Sequence, residues 1–122
     1  MKFLCLVYID EHVLDAMSQS EYDALSDAAL ASDEALRQSG HYIGSNALRS
    51  VRTATSLRVR DGKLAVIDGP FAETKEHLGG FILIDAADLA EAIALAAKIP
   101  MASIGTIEVR PVREDLKDGT RG

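Results

Sequence analysis

The run "TSLRVRDGKLAVIDGPFAETKEHLGGFILID", residues 55–85, holds three β-forming segments in succession. The first two are joined by Asp61-Gly62. That dipeptide suits a two-residue type I′ turn, whose central residues both need positive φ. In the first arm Leu57 and Val59 alternate with Ser56, Arg58 and Arg60, which predicts a half-exposed strand. The second arm, "LAVI", and the third segment, residues 80–85, are apolar at consecutive positions. Each reads as a strand buried on both faces. Between them "DGPFAETKEHLGG", residues 68–80, crowds a turn, a phenylalanine, carboxylates, a lysine and a histidine into one crossing.

Working outward, "KFLCLVYI", residues 2–9, is another strand apolar on both faces. A helix follows, opened by Ser18 with Glu21 in capping-box spacing and closed at Gly40. Its inward stripe is Tyr22, Leu25, Ala29, Ser32 and Leu36, thin enough to let the helix lie close on a sheet. "HYIGSNAL" is a short strand broken by Gly44. A second helix begins at Asp88, with Glu91 three residues on, and stops before Pro100. "GTIEVRPV" is a last strand, placed at an edge by Pro111. The order β-α-β-(β-β)-β-α-β predicts an α+β, ferredoxin-like βαββαβ subunit with an inserted β-hairpin. Residues 1–113 form its single domain, and 114–122 form a charged tail expected to fray. Two helices can cover only one face of such a sheet. The other apolar face calls for a second copy, so a homodimer is expected.

Composition narrows the function. The 122 residues carry a net charge of −6, which repels nucleic acid. The run Arg49, Arg52, Arg58 and Arg60 lacks stacking aromatics and reads as a solvated strand edge. Cys5, the single cysteine, sits in an apolar strand and reads as a structural thiol. The apolar start ends at Asp10, too short for a membrane span and with no cleavage-site pattern behind it. A cytoplasmic protein is the expectation. No nucleotide-binding, zinc-spacing or nucleophile-elbow motif occurs, so no cofactor is called for.

The nine residues Asp68-Gly69-Pro70-Phe71-Ala72-Glu73-Thr74-Lys75-Glu76 resemble the signature of DGPF-type proteins within the YCII-related (YciI-like) family. The likeness extends through "MKFLCLVY", "LRVRDGKLAVIDGPF", "LGGFILIDA" and "EVRPV". It implies a ferredoxin-like subunit paired into a dimeric α/β barrel. Most proteins of this resemblance have no assigned activity, while some relatives in the wider superfamily are small-molecule enzymes: isomerases, monooxygenases and a dehydrochlorinating lyase. Other DGPF proteins accompany extracytoplasmic-function sigma factors. Enzyme-like relatives carry a histidine near the start of the first helix and an aspartate on the next strand. Neither "SQSEYDAL" nor "HYIGSNAL" supplies its member of that pair.

The residues leave two classes of function open. One is a small-molecule-binding protein or a cofactor-free acid/base enzyme of the isomerase, lyase or hydrolase type. Its candidates are Asp68, Glu73 and His77 for proton transfer, with Tyr8 and Lys75 binding the substrate. Asp68 serves equally as a cap for its own turn, while Gly69, Pro70 and Phe71 read as turn and core plug. If "AETKEH" forms a helical turn, Glu73 and His77 share a face. Two such ligands are too few for a structural metal, and none is assigned. The other class is a regulatory module with a protein partner such as a sigma factor.

Overall fold

The computed structural model describes residues 1–117, so residues 118–122 of the expected tail lie outside the described residues. Strand β1 (Lys2–Ile9) leads through a short helix, α1 (Glu11–Asp15), into the long α2 (Gln19–Gln38) and then β2 (Tyr42–Ala47). A 3-10 turn (Val51–Thr53) precedes β3 (Thr55–Arg60) and β4 (Lys63–Asp68). Strand β5 (His77–Asp85), helix α3 (Leu89–Ala96), a second 3-10 turn (Pro100–Ser103) and β6 (Thr106–Pro111) complete the chain. Four strands make an antiparallel sheet in the order β2-β5-β1-β6, while β3 and β4 pair only with each other. This is the ferredoxin-like arrangement with a hairpin inserted before its third strand.

Local chemistry sets the element ends. The Ser18 hydroxyl accepts from the Glu21 amide, and the Glu21 carboxylate accepts from the Ser18 amide. The same helix closes in a Schellman motif, with His41 N–H donating to the Leu36 carbonyl and Gly40 N–H to that of Arg37. Asp88 caps α3 through the Glu91 amide. His41 then ties the two helices, its Nε2 3.3 Å from Glu91 and its Nδ1 2.7 Å from the Ser39 hydroxyl. Asp61 and Gly62 stand at φ 51° and 74°, the pair of positive values of a type I′ turn.

Burial alternates along the two central strands. Phe3 lies opposite Ile84, and Cys5 opposite Ile82, all packed beneath the helices with Leu36, Ala92 and Ala96. The alanines let α3 lie close on the sheet. Burial pushes the Cys5 thiol up to about 11, so it packs and does not react. On the open face Leu6 stands opposite Phe81 and Leu4 opposite Leu83, half-buried with no element above them. Pro111 lies on β6, an edge strand, where its missing N–H costs no ladder bond.

The hairpin departs from expectation. Strand β4 is not buried on either face; it is exposed along its whole length. Its register explains the apparent double apolarity. Leu57 and Val59 stand opposite Val66 and Leu64, while Ser56, Arg58 and Arg60 stand opposite Ile67, Ala65 and Lys63. One face is therefore aliphatic and the other cationic. α1, joining β1 to α2, is also absent from the sequence reading; Asp10 caps it by accepting from the His12 amide.

Glycines let backbone approach backbone in the sheet, at Gly105 beside the Tyr8 carbonyl and at Gly80. A Cβ on Gly80 would lie 2.8 Å from the Asn46 carbonyl oxygen, which is backbone and cannot swing aside. Gly80→Ala is therefore expected to destabilise by about 1–3 kcal/mol, lowering the thermal midpoint by several degrees. An unchanged midpoint would show that β2 can shift away from β5.

Candidate functional site

Two cavities open at the end of β1, one on each side of the sheet. On the helix side a cavity of about 620 Å³ is lined by Ile9, Glu11, Tyr22, Arg49, Arg52 and Gly79, among others. On the side carrying Tyr8 and Leu78, a cavity of about 570 Å³ lies beneath the segment that follows the hairpin. Its polar groups include Tyr8, His77, Glu76 and Arg49, and its apolar wall includes Pro70, Phe71, Leu48 and Leu78. Residues 48–50 form part of both walls.

Glu11 fastens that shared wall. Its two carboxylate oxygens accept from the Ser50 hydroxyl at 2.6 Å and the Val51 amide at 2.7 Å. The Ser50 bond first, then the Val51 bond, hold the Glu11 carboxyl below its ordinary value of 4.5. Arg49 and Arg52 project from this strapped segment, and neither forms an ion pair among the described residues. The run of arginines thus divides. Arg58 and Arg60 lie on an exposed hairpin, as a solvated edge would, but Arg49 and Arg52 line a cavity.

The segment 69–76 is a series of bends and not a helical turn. Gly69 takes φ 102° and bonds back to the hairpin root, its N–H donating to the Ala54 carbonyl and its own carbonyl accepting from the Ser56 hydroxyl. Phe71 does not plug the core. The segment arcs away from the sheet, and its ring stays 78% exposed at the cavity wall. His77 opens β5, opposite Ile9, so Glu73 does not share a helical face with it. The Thr74 hydroxyl donates to the Glu76 carbonyl at 2.6 Å and lies 3.4 Å from His77 Nδ1. With its only proton committed, Thr74 can meet Nδ1 solely as an acceptor. A proton on Nδ1 leaves Nε2 as the basic nitrogen. Thr106 in turn bonds the Glu76 carboxylate at 2.7 Å, tying the segment to β6.

Of the five residues singled out from sequence, Tyr8 and His77 come together at one cavity. Asp68 ends β4 opposite Thr55 and is exposed. Glu73 and Lys75 are exposed and line neither large cavity; Lys75 lies near Asp10, whose carboxyl the His12 amide holds below 3.8. His12 stands 3.0 Å from Asp10, but its ring is 96% exposed and faces no cavity, so it does not replace the missing pair. Glu11 and Ser50 were invisible to sequence reading: 39 residues separate them, and only the polar strand end at "IDE" hints at a role. Among the described residues no cluster of three or more metal-ligating side chains exists.

The model of the YCII-related domain matches residues 1–115. The chain belongs to the YCII-related family. A protein of Rhizobium meliloti (strain 1021), described as uncharacterized, is 39% identical to this YCII-related chain over 114 residues, covering 92% of each. No helix among the described residues is long and apolar enough to cross a membrane.

Glu11 makes a sharp test of the wall. Glu11→Ala is expected to cost about 1.5–3 kcal/mol, the range for hydrogen bonds to a charged group. Because the folded value is depressed, the carboxylate's contribution is fully present above 4.5 and fades as pH falls through the lower folded value. Denaturation curves of wild type and Glu11→Gln should therefore converge in acid. A gap that stays constant from neutral pH into that acid range would deny the carboxylate this role.

Proposed function

We propose that this YCII-related protein binds a small organic molecule in the Tyr8–His77 cavity and acts on it by proton transfer without a cofactor. The cavity itself carries the reading. Its volume of about 570 Å³ suits a small ligand, and a few polar groups stand among apolar walls. His77 Nε2 is the proton acceptor in this proposal, fixed by the Thr74 contact at Nδ1. The Tyr8 hydroxyl orients the ligand, and the Arg49 guanidinium favours an organic acid. Asp68, Glu73 and Lys75 receive no direct contact with the ligand in this scheme, since none lines the wall.

The active form in this proposal is a homodimer of the α/β-barrel kind, in the cytoplasm, in keeping with a lone buried thiol. The open faces carrying Leu4, Leu6, Phe81 and Leu83 pack together and remove that surface from water. A second reading, a module that binds another protein such as a sigma factor without turnover, draws on the uncovered aliphatic face of the hairpin.

Thermal-shift measurements against a set of small organic acids and ring compounds test the first reading. A true ligand at a hundred times its dissociation constant stabilises by about 2.7 kcal/mol. The shift is expected in wild type, reduced in Tyr8→Phe and lost in His77→Ala. A ligand whose shift survives both substitutions binds elsewhere, and a set in which nothing shifts the midpoint counts against binding.

A further inference from the structure

The helix-side cavity of about 620 Å³ takes no part in the proton-transfer reading. The charged side chains that line it are Arg49, Arg52, Glu11 and Asp15, so its two signs balance. They are unequally spent. Both oxygens of Glu11 already accept hydrogen bonds, from Ser50 and Val51. Arg49, Arg52 and Asp15 form no ion pair with one another or with any other described residue. Two guanidiniums therefore stand unused on the loop that Glu11 straps, and one carboxylate stands unused at the end of α1. Leu14, Met17 and Met101 add apolar wall, and the two thioethers adapt to varied shapes.

A simple anion would suit the arginines but leave the Asp15 carboxylate facing a like charge. A simple cation would meet the reverse problem. A molecule that carries both charges answers both walls. The arginines and Asp15 stand too far apart to pair, so the ligand's own charges must be separated by an intervening body. The apolar wall makes that body apolar, and the volume exceeds what a single amino acid fills. We propose that this cavity is a second binding site, for an amphoteric small molecule of the short-peptide class. The ligand's carboxylate meets Arg49 and Arg52, its ammonium meets Asp15, and its apolar side chains lie on Leu14, Met17 and Met101. This site stands independently of the Tyr8–His77 reading. Arg49 belongs to both cavities, whereas Arg52 and Asp15 line the helix-side cavity alone.

Calorimetric titration with leucine, leucyl-leucine and leucyl-glycyl-leucine gives the test. A peptide is expected to bind, and to bind more tightly than leucine, whose charges lie too close together. Acetylating that peptide's amine, or amidating its carboxylate, should weaken binding by about tenfold or more, as losing a charged hydrogen bond does. Arg52→Gln should abolish the preference for a free carboxylate, and Asp15→Asn the preference for a free ammonium. His77→Ala should leave both preferences in place. Arg52 and Asp15 are exposed, so both variants should fold, which circular dichroism checks. Failure of every probe to bind overturns the site, as do acetylated and amidated forms that bind as well as the free peptide. Binding that survives Arg52→Gln and Asp15→Asn but is lost in His77→Ala puts the peptide in the other cavity and overturns it too. Should a variant misfold, methyl resonances of wild type decide: the peptide should shift those of Met17 and Met101 but not Met1, and unmoved Met17 and Met101 signals sink the proposal.

Discussion

Cys5 lies opposite Ile82, and Phe3 opposite Ile84, so the antiparallel pairing of β1 with β5 decides which side chains meet the helices. In a pleated pair every second residue turns the other way. Once these four are committed to the helix side, Leu4, Leu6, Phe81 and Leu83 have no choice but the open face. A slip of one residue would exchange the two sets. The core, with Leu36 and the alanines of α3, forms only in this register. So does the uncovered apolar face, which the chain cannot avoid while β1 and β5 stay at the centre of the sheet.

The same pairing creates the two cavities. It is regular from Lys2 to Val7 and then shifts, so that Tyr8 meets Leu78 with Gly79 left over. Tyr8 and Ile9, adjacent at the strand end, then line cavities on opposite sides of the sheet. The loop leaving β2 must pass the end of this sheet, and it would be free to flex but for Glu11. Two hydrogen bonds accepted by Glu11, two residues past the end of β1, hold it at Ser50 and Val51. A carboxylate spent on structure thus holds two arginines in position without pairing with either.

What the sequence revealed follows from range. The capping box at Ser18, the Asp88 cap and the Asp61-Gly62 turn act over two or three residues, and each is where local chemistry puts it. Element order and the edge position of Pro111 follow from patterning. Burial of β4 did not follow, because consecutive apolar residues report what a strand could bury and not what is available to cover it. Of the residues read as candidates, Tyr8 and His77 stand near strand ends and line one cavity. Glu73 and Lys75 lie in the bends at 69–76, Asp68 ends β4 before them, and none of the three lines that cavity; a polar stretch does not encode how its bends run. Glu11 and Ser50 meet only because the whole sheet brings β1 beside the loop after β2, and no local pattern encodes that.

The hairpin and the cavity wall meet at the root of the hairpin. Gly69 N–H reaches the Ala54 carbonyl, and the Ser56 hydroxyl reaches the Gly69 carbonyl, so both ends of the hairpin move as one piece. Ala54 is one residue from the 3-10 turn whose start Glu11 holds. A path of hydrogen bonds therefore runs from Glu11, past the end of β1, through the strapped loop to the hairpin. Phe71 lies just past that path with most of its ring in water. An exposed aromatic at a cavity wall leaves apolar surface uncovered, and covering it by any neighbour would also dry the cavity beneath. Electrostatic and proton-transfer chemistry gains from such drying, since charges interact more strongly as water leaves. Ser56, Pro70 and Phe71 line that cavity, so the hairpin root is the part of the fold through which any covering neighbour would act on the water inside.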